Sequence, residues 1–192
     1  MYRGIAVFGL NGSGKSTLTH ALAKQIGYWE MDVEDYYFPH QKVSRYMALE
    51  HLPHTLENTD ILPFSSSLSK DEVQRKLIED IRIHPRFILC GVAMNWGEEI
   101  LSKIDIAFWI RTPKEERLDR IAKRELLRFG HRVLPGGDMY EQQRTFHEFA
   151  ASRDLKSLEE SAAKLHCPVY IVDGMRSVQE NTHYMQQCIE SL

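Results

Sequence analysis

The stretch Gly9-Leu10-Asn11-Gly12-Ser13-Gly14-Lys15-Ser16 constrains the architecture of this chain more than any other feature. It satisfies the spacing G-x-x-x-x-G-K-[S/T] and stands between the apolar run at residues 4–8 and a helical pattern over 15–25. Glycines at these places let backbone N–H groups come close to phosphate oxygens and take positive φ angles. The helix behind the loop points its positive end at the same anion. A strand feeding such a turn is covered on both faces, so the unit implies a parallel sheet wrapped by crossover helices.

The rest of the chain repeats that rhythm. Apolar runs at 28–31, 87–90, 104–110 and 168–172 predict four further strands. Helical patterns fall between them. Ser69 with Glu72 forms a capping box for a helix to residue 83, and Pro113 opens one through 129. Asp138, with Glu141 at the matching position, is expected to cap a helix running to about 165, and a last helix spans 177–189. The prediction is one domain over 1–192: a three-layer α/β P-loop NTPase fold with a five-stranded parallel sheet, helices on both faces and a short helical lid at about 117–137. Residues 36–67 show no steady period and contain Pro39, Pro53 and Pro63, which predicts short helices and a functional surface; this is the segment expected to bind the acceptor.

Composition narrows the partners. A net charge of −3 argues against a general nucleic-acid binder, so no nucleic acid is expected. Cys90, Cys167 and Cys188 form no framework of bridges, no run approaches a membrane span, and the chain reads as cytoplasmic with no membrane partner. The state expected is a monomer or homodimer. His51 and His54 resemble a metal pair, but the proline between them and the lack of partners speak against it.

The loop would hold ATP through Gly9, Asn11, Gly12, Ser13, Gly14 and Lys15, with Ser16 on Mg2+ and Thr17 near the α-phosphate. The cluster Asp32-Val33-Glu34-Asp35 ends the second strand and faces the ligand crevice. Asp32 there suits the metal, and Asp35 (or Asp32) suits proton abstraction from a hydroxyl; the plain alternative is a solvated acidic turn. Arg117, Arg120, Arg124 and Arg128 share one helical face. They form either a solvated stripe stitched by pairs such as Glu116–Arg120, or a lid over the transferring phosphoryl group. Tyr37, Arg45, Asn95 and Trp96 are the candidate acceptor contacts beside Asp35.

These motifs carry a family resemblance. Asp32-Val-Glu-Asp35-Tyr-Tyr37 resembles the pattern after strand two of uridine-kinase-like enzymes, which implies Asp35 as the acceptor-activating aspartate. It is also similar to the Asp-x-Asp of shikimate-kinase-like enzymes, which matches Asp32 and Glu34. Arg120-Ile-Ala-Lys-Arg124 looks like the R-x-x-x-R of nucleoside-monophosphate-kinase lids, and Asp173-Gly174 falls where adenylate-kinase-like folds pass the adenine ring. Residues 129–141 resemble bacterial proteins described as small P-loop kinase-like ATPases. The resemblance implies an ATP- and Mg2+-dependent kinase with Lys15, Asp35, Arg120 and Arg124 as catalytic residues. Its acceptor would be a small molecule, with nucleosides and nucleotides leading. A non-catalytic ATP-binding module and a nucleic-acid-end kinase are the alternatives. Strand three ends Leu89-Cys90-Gly91, without the aspartate that GTPases and AAA-type motors use there.

Overall fold

The computed structural model describes residues 4–42, 45–46, 50, 64 and 66–191. Among them, β1 (Gly4–Phe8), β2 (Trp29–Asp32), β3 (Phe87–Gly91), β4 (Ile106–Arg111) and β5 (Val169–Asp173) form one sheet in the order β2-β3-β1-β4-β5. Every pairing is parallel. β1 lies at the centre and its successors lie on opposite sides of it, so the chain reverses direction beside the β1 carboxyl end. Crevices open at such points.

Strand alternation builds two cores. Ile5, Val7, Ile88, Phe108 and Val172 face α1 (Lys15–Ile26) and α8 (Val178–Glu190), where Leu18, Leu22 and Met185 meet them. Ala6, Phe8, Leu89 and Trp109 face the other way, toward Val73 and Leu77 of α3 (Lys70–Ile83), Ile100 of α4 (Glu98–Leu101) and Leu158 of α7 (Lys156–Ala163). Phe8 and Phe108 are fully buried, each worth about 1.5–3 kcal/mol relative to an exposed ring. The result is the expected three-layer α/β arrangement, with strand limits moved by one or two residues.

Helix ends follow local chemistry. Ser69 and Glu72 form the expected capping box on α3, and Ser177 with Glu180 forms a second on α8. Two expectations need correcting. Asp138 caps nothing; its carboxylate takes two hydrogen bonds from Arg132, Nε at 3.0 Å and Nη2 at 2.8 Å. α6 (Tyr140–Ser152) therefore starts later, and it stops before Arg153 instead of running on to 165. Asp154 accepts from the Lys156 N–H at 3.0 Å and starts α7 as a separate helix. Local side-chain bonding of this kind competes with helix continuation.

Candidate functional site

The loop after β1 is shaped by close approaches. Gly12 and Gly14 hold φ angles of +79° and +92°. A Cβ at Gly12 would stand 2.3 Å from the Arg117 carbonyl oxygen, and one at Gly9 would stand 2.6 Å from that of Ile110. The Gly9 N–H donates to Val92 at 3.2 Å, which ties the loop to the end of β3. Gly14 caps α1 without any side-chain partner, so the first turn of that helix presents bare N–H groups. Ser13 is buried and its carbonyl accepts from the Thr112 hydroxyl at 3.1 Å.

The acidic cluster is helical where the sequence suggested a turn. Asp32 Oδ1 caps α2 (Val33–Tyr37) by accepting from the Glu34 N–H at 3.0 Å. Successive helical residues point about 100° apart, so Glu34 and Asp35 serve different surroundings. Asp35 is buried and bidentate to Arg45, whose Nε lies 2.7 Å from Oδ1 while Nη2 donates to Oδ2. Burial pushes the Asp35 carboxyl up, against the pull of that guanidinium. Arg45 Nη1 also donates to Glu30 at 3.2 Å, and Glu30 meets His20 Nδ1 at 2.7 Å. Asp35 lines neither of the cavities described next.

Glu34 lines both. A cavity of about 290 Å³ is walled by Gly12, Gly14, Lys15, Ser16, Thr17, Glu34, Arg45, Arg120, Arg124 and Arg128. Five cations around one carboxylate and a helix N-terminus give this cavity the chemistry to hold phosphates. Arg120 braces it: Nε donates to Glu116 at 2.7 Å and Nη2 to the Gly174 carbonyl at 3.0 Å. The expected Glu116 pair therefore coexists with a place on the cavity wall. Arg117, by contrast, is buried with Nη1 on the Asn11 carbonyl at 3.0 Å, and props the loop from behind. Arg128 is buried over the Phe129 ring, 5.0 Å from its centroid, and its Nε has no hydrogen-bond partner among the described residues. All four arginines ride on α5 (Lys114–Phe129).

The Glu34 carboxyl is pushed up, by burial first and by Asp32 second, while Arg124, Lys15 and Arg128 pull it down. Asp32 is 3% exposed, and among the described residues its Oδ2 has no hydrogen-bond partner, with Arg45 Nη1 3.6 Å away. Its register partner on β3 is Cys90, whose sulfur lies 3.9 Å from the Ser16 hydroxyl. The Ser16 hydroxyl on the first turn of α1 and an unsatisfied carboxylate oxygen at the end of β2 fit Mg2+, which takes one or two carboxylates and keeps several waters.

A second cavity, of about 510 Å³, adjoins the first across Lys15, Glu34 and Arg124, which line both. Its walls are aromatic: Tyr37, Phe38, Phe64, Trp96 and Phe146. The loop after β3 is held by the Met94 N–H on the Ser161 hydroxyl and the Gly97 N–H on Gln74 at 3.1 Å, which sets Asn95 and Trp96 in the wall. Of the expected acceptor contacts, Tyr37, Asn95 and Trp96 line this cavity; Arg45 lines the phosphate cavity instead. His51, His54 and most of the expected acceptor segment lie outside the described residues. Asp173 lines a third cavity of about 370 Å³ beside Leu10, Thr112 and Met175. A Cβ on Gly174 would stand 1.9 Å from Thr112 Oγ1, so the turn after β5 admits no side chain there. Sequence reasoning passed over Glu125, which reaches the aromatic cavity from α5. Its signal, a lone acid inside an arginine-rich helix, reads as a surface charge pair.

Comparison with known proteins fits this geometry. A family model described as an AAA domain matches residues 5–126. An uncharacterized protein of Bacillus subtilis strain 168, YqaC, is 30% identical over 189 residues, covering 94% of this chain and 93% of its own. Solved structures share the fold. A sugar kinase from Janibacter sp. HTCC2649 superimposes with a TM-score of 0.53 at 16% identity, covering 99% of this chain and 95% of its own. The shikimate kinase of Acinetobacter baumannii, in complex with shikimate, gives 0.53 at 16% over 100% and 94%. A deoxyadenosine kinase of M. mycoides with bound dATP gives 0.51 at 17% over 97% and 98%.

Proposed function

The chain belongs to the AAA-domain family that matches it, and from that premise we propose that it is an ATP-dependent kinase acting on a hydroxyl of a small molecule. One observation carries the reading: the phosphate cavity and the aromatic cavity meet at Lys15, Glu34 and Arg124. A donor site alone needs no second chamber, and an acceptor chamber opening at the terminal phosphate places the two reactants in contact.

Lys15 and the first turn of α1 hold the β- and γ-phosphates, and Arg120, Arg124 and Arg128 cover the oxygens on which charge grows during transfer. Bound Mg2+, held by Ser16 and Asp32, would neutralise part of that charge. Glu34, rather than Asp35, takes the proton from the acceptor hydroxyl as the new O–P bond forms and the bond to ADP breaks. Its raised carboxyl and its place between the chambers suit a base. Asp35 instead fixes Arg45 at the phosphate cavity. The adenine passes Arg120 toward the Asp173–Gly174 turn, whose carbonyl Arg120 already holds.

Labelled ATP incubated with a panel of nucleosides, nucleotides, sugars and hydroxy acids tests the proposal. Some acceptor should accelerate ADP release, and Glu34→Gln should lower kcat by about 10²–10⁴, well beyond Asp35→Asn. The reverse order of the two variants returns the base to Asp35. No acceleration by any acceptor leaves an ATP-binding module in place of a kinase.

A further inference from the structure

The aromatic cavity carries unsatisfied polar atoms that describe its occupant. Glu125 is 4% exposed; Oε1 takes Arg124 Nε at 2.7 Å and Nη2 at 2.6 Å, while Oε2 is buried with no hydrogen-bond partner among the described residues. Trp96 is 9% exposed, and its indole Nε1 is likewise buried without a hydrogen-bond partner among the described residues. Both residues line the same cavity. A buried carboxylate oxygen left open asks for a donor, and a buried indole N–H asks for an acceptor.

The charges point the same way. Among the described residues lining this cavity, the cations are Lys15, Arg124 and Lys70. Lys15 and Arg124 belong to the phosphate end, and Arg124 is already engaged by Glu125. Lys70 is exposed, with Nζ 5.9 Å from the Trp96 centroid. With Arg124 and Glu125 offsetting one another, the residues that line this cavity and not the phosphate cavity bring no buried cation but do bring the buried carboxylate of Asp32, a setting that disfavours a phosphate or carboxylate group on the acceptor. Tyr37, Phe38, Phe64, Trp96 and Phe146 leave faces suited to a planar ring.

We propose that Glu125 and Trp96 read the acceptor, and that the acceptor is an uncharged nucleoside whose base offers a donor to Glu125 and an acceptor to Trp96. This rests on the kinase reading for its chemistry, but its binding claim stands separately. A hydrogen bond to a charged group discriminates about 10- to 100-fold against an analogue that lacks it.

The experiment uses the full chain with a non-hydrolysable ATP analogue for binding and ATP for turnover. The probes are the four common nucleosides, their monophosphates, a hydroxy acid, and two ribosides lacking the base-edge donor: purine riboside and 2-pyrimidinone riboside. At least one nucleoside should alter tryptophan emission in the wild type, and that change should vanish in Trp96→Phe. It should exceed its donorless analogue by about 10- to 100-fold in kcat/KM. Glu125→Met should close that gap, whereas a residue serving stability alone would weaken both ligands equally. Trp96→Phe keeps a ring in the wall and should raise KM several-fold more than it changes kcat. A monophosphate or hydroxy acid as the best acceptor, an unmoved gap in Glu125→Met, or no nucleoside binding overturns the proposal. Nucleoside binding without any ADP release would uphold it and sink the kinase reading instead.

Discussion

Replacing Gly12 and Gly14 separately by alanine isolates the contact between the glycine loop after β1 and α5. Both positions hold positive φ, +79° and +92°, so each alanine meets a comparable backbone strain of about 1–3 kcal/mol. Their surroundings differ. The Gly14 Cβ would find only the end of the Arg120 side chain, 3.5 Å away, which is ordinary contact. The Gly12 Cβ would land 2.3 Å from the carbonyl oxygen of Arg117, with the carbonyl carbon at 2.9 Å and the Cα at 3.1 Å. That carbonyl belongs to the first turns of α5 and cannot rotate aside, so the helix must move bodily. Overpacking of this kind costs about 1–3 kcal/mol beyond the shared strain. For a chain of this length that difference separates the two melting temperatures by about 2–12 °C. Calorimetric melting of the ligand-free variants reads it directly. If Gly12→Ala and Gly14→Ala melt within about 1 °C of one another, loop and helix are not interlocked and the reasoning fails.

Further outcomes follow from the same geometry. Saturating ATP at about a hundred times Kd should raise wild-type stability by about 2.7 kcal/mol, and Lys15→Ala should lose that shift; an undiminished shift would remove Lys15 from the phosphate site. Arg45→Met leaves Asp35 and Glu30 without their guanidinium, which should cost about 3–5 kcal/mol in denaturant titration, with Asp35→Asn added to it recovering part of the loss. A neutral single variant would show that this network adds nothing to the fold. Ser177→Ala removes the side-chain acceptor for the Glu180 N–H and should cost about 1 kcal/mol in the same titration; no change would mean that solvent replaces the cap.

The parts of this molecule written in spacing were legible from the sequence. The phosphate loop requires glycine and lysine at fixed intervals, and the apolar runs of a doubly covered sheet leave no alternation to misread. Ser69 and Glu72 announced their helix end because a capping box is local. Asp138 showed the same spacing with Glu141, yet a guanidinium six residues earlier took its carboxylate. The acids after β2 were visible as a group but not as individuals. Only once Asp32 caps a helical turn does the 100° step send Glu34 to the cavities and Asp35 to Arg45. Glu125 could not be read at all, because its meaning depends on α5 turning that side toward aromatic residues far away in the chain.

The bond from Arg117 to the Asn11 carbonyl makes α5 a lever with its fulcrum at one end. With Arg117 pinned, rotation of the helix displaces each residue in proportion to its distance along the axis. Arg120 lies about 4.5 Å from the pivot and Arg128 about 16 Å, at 1.5 Å per residue. A swing of about 10° would carry Arg120 less than 1 Å and Arg128 nearly 3 Å over that helical rise. The arginine nearest the loop would thus keep its grip while the farthest opens and shuts the chamber. One rigid rod would combine a constant hold beside the loop with a variable cover over the far wall of the same cavity.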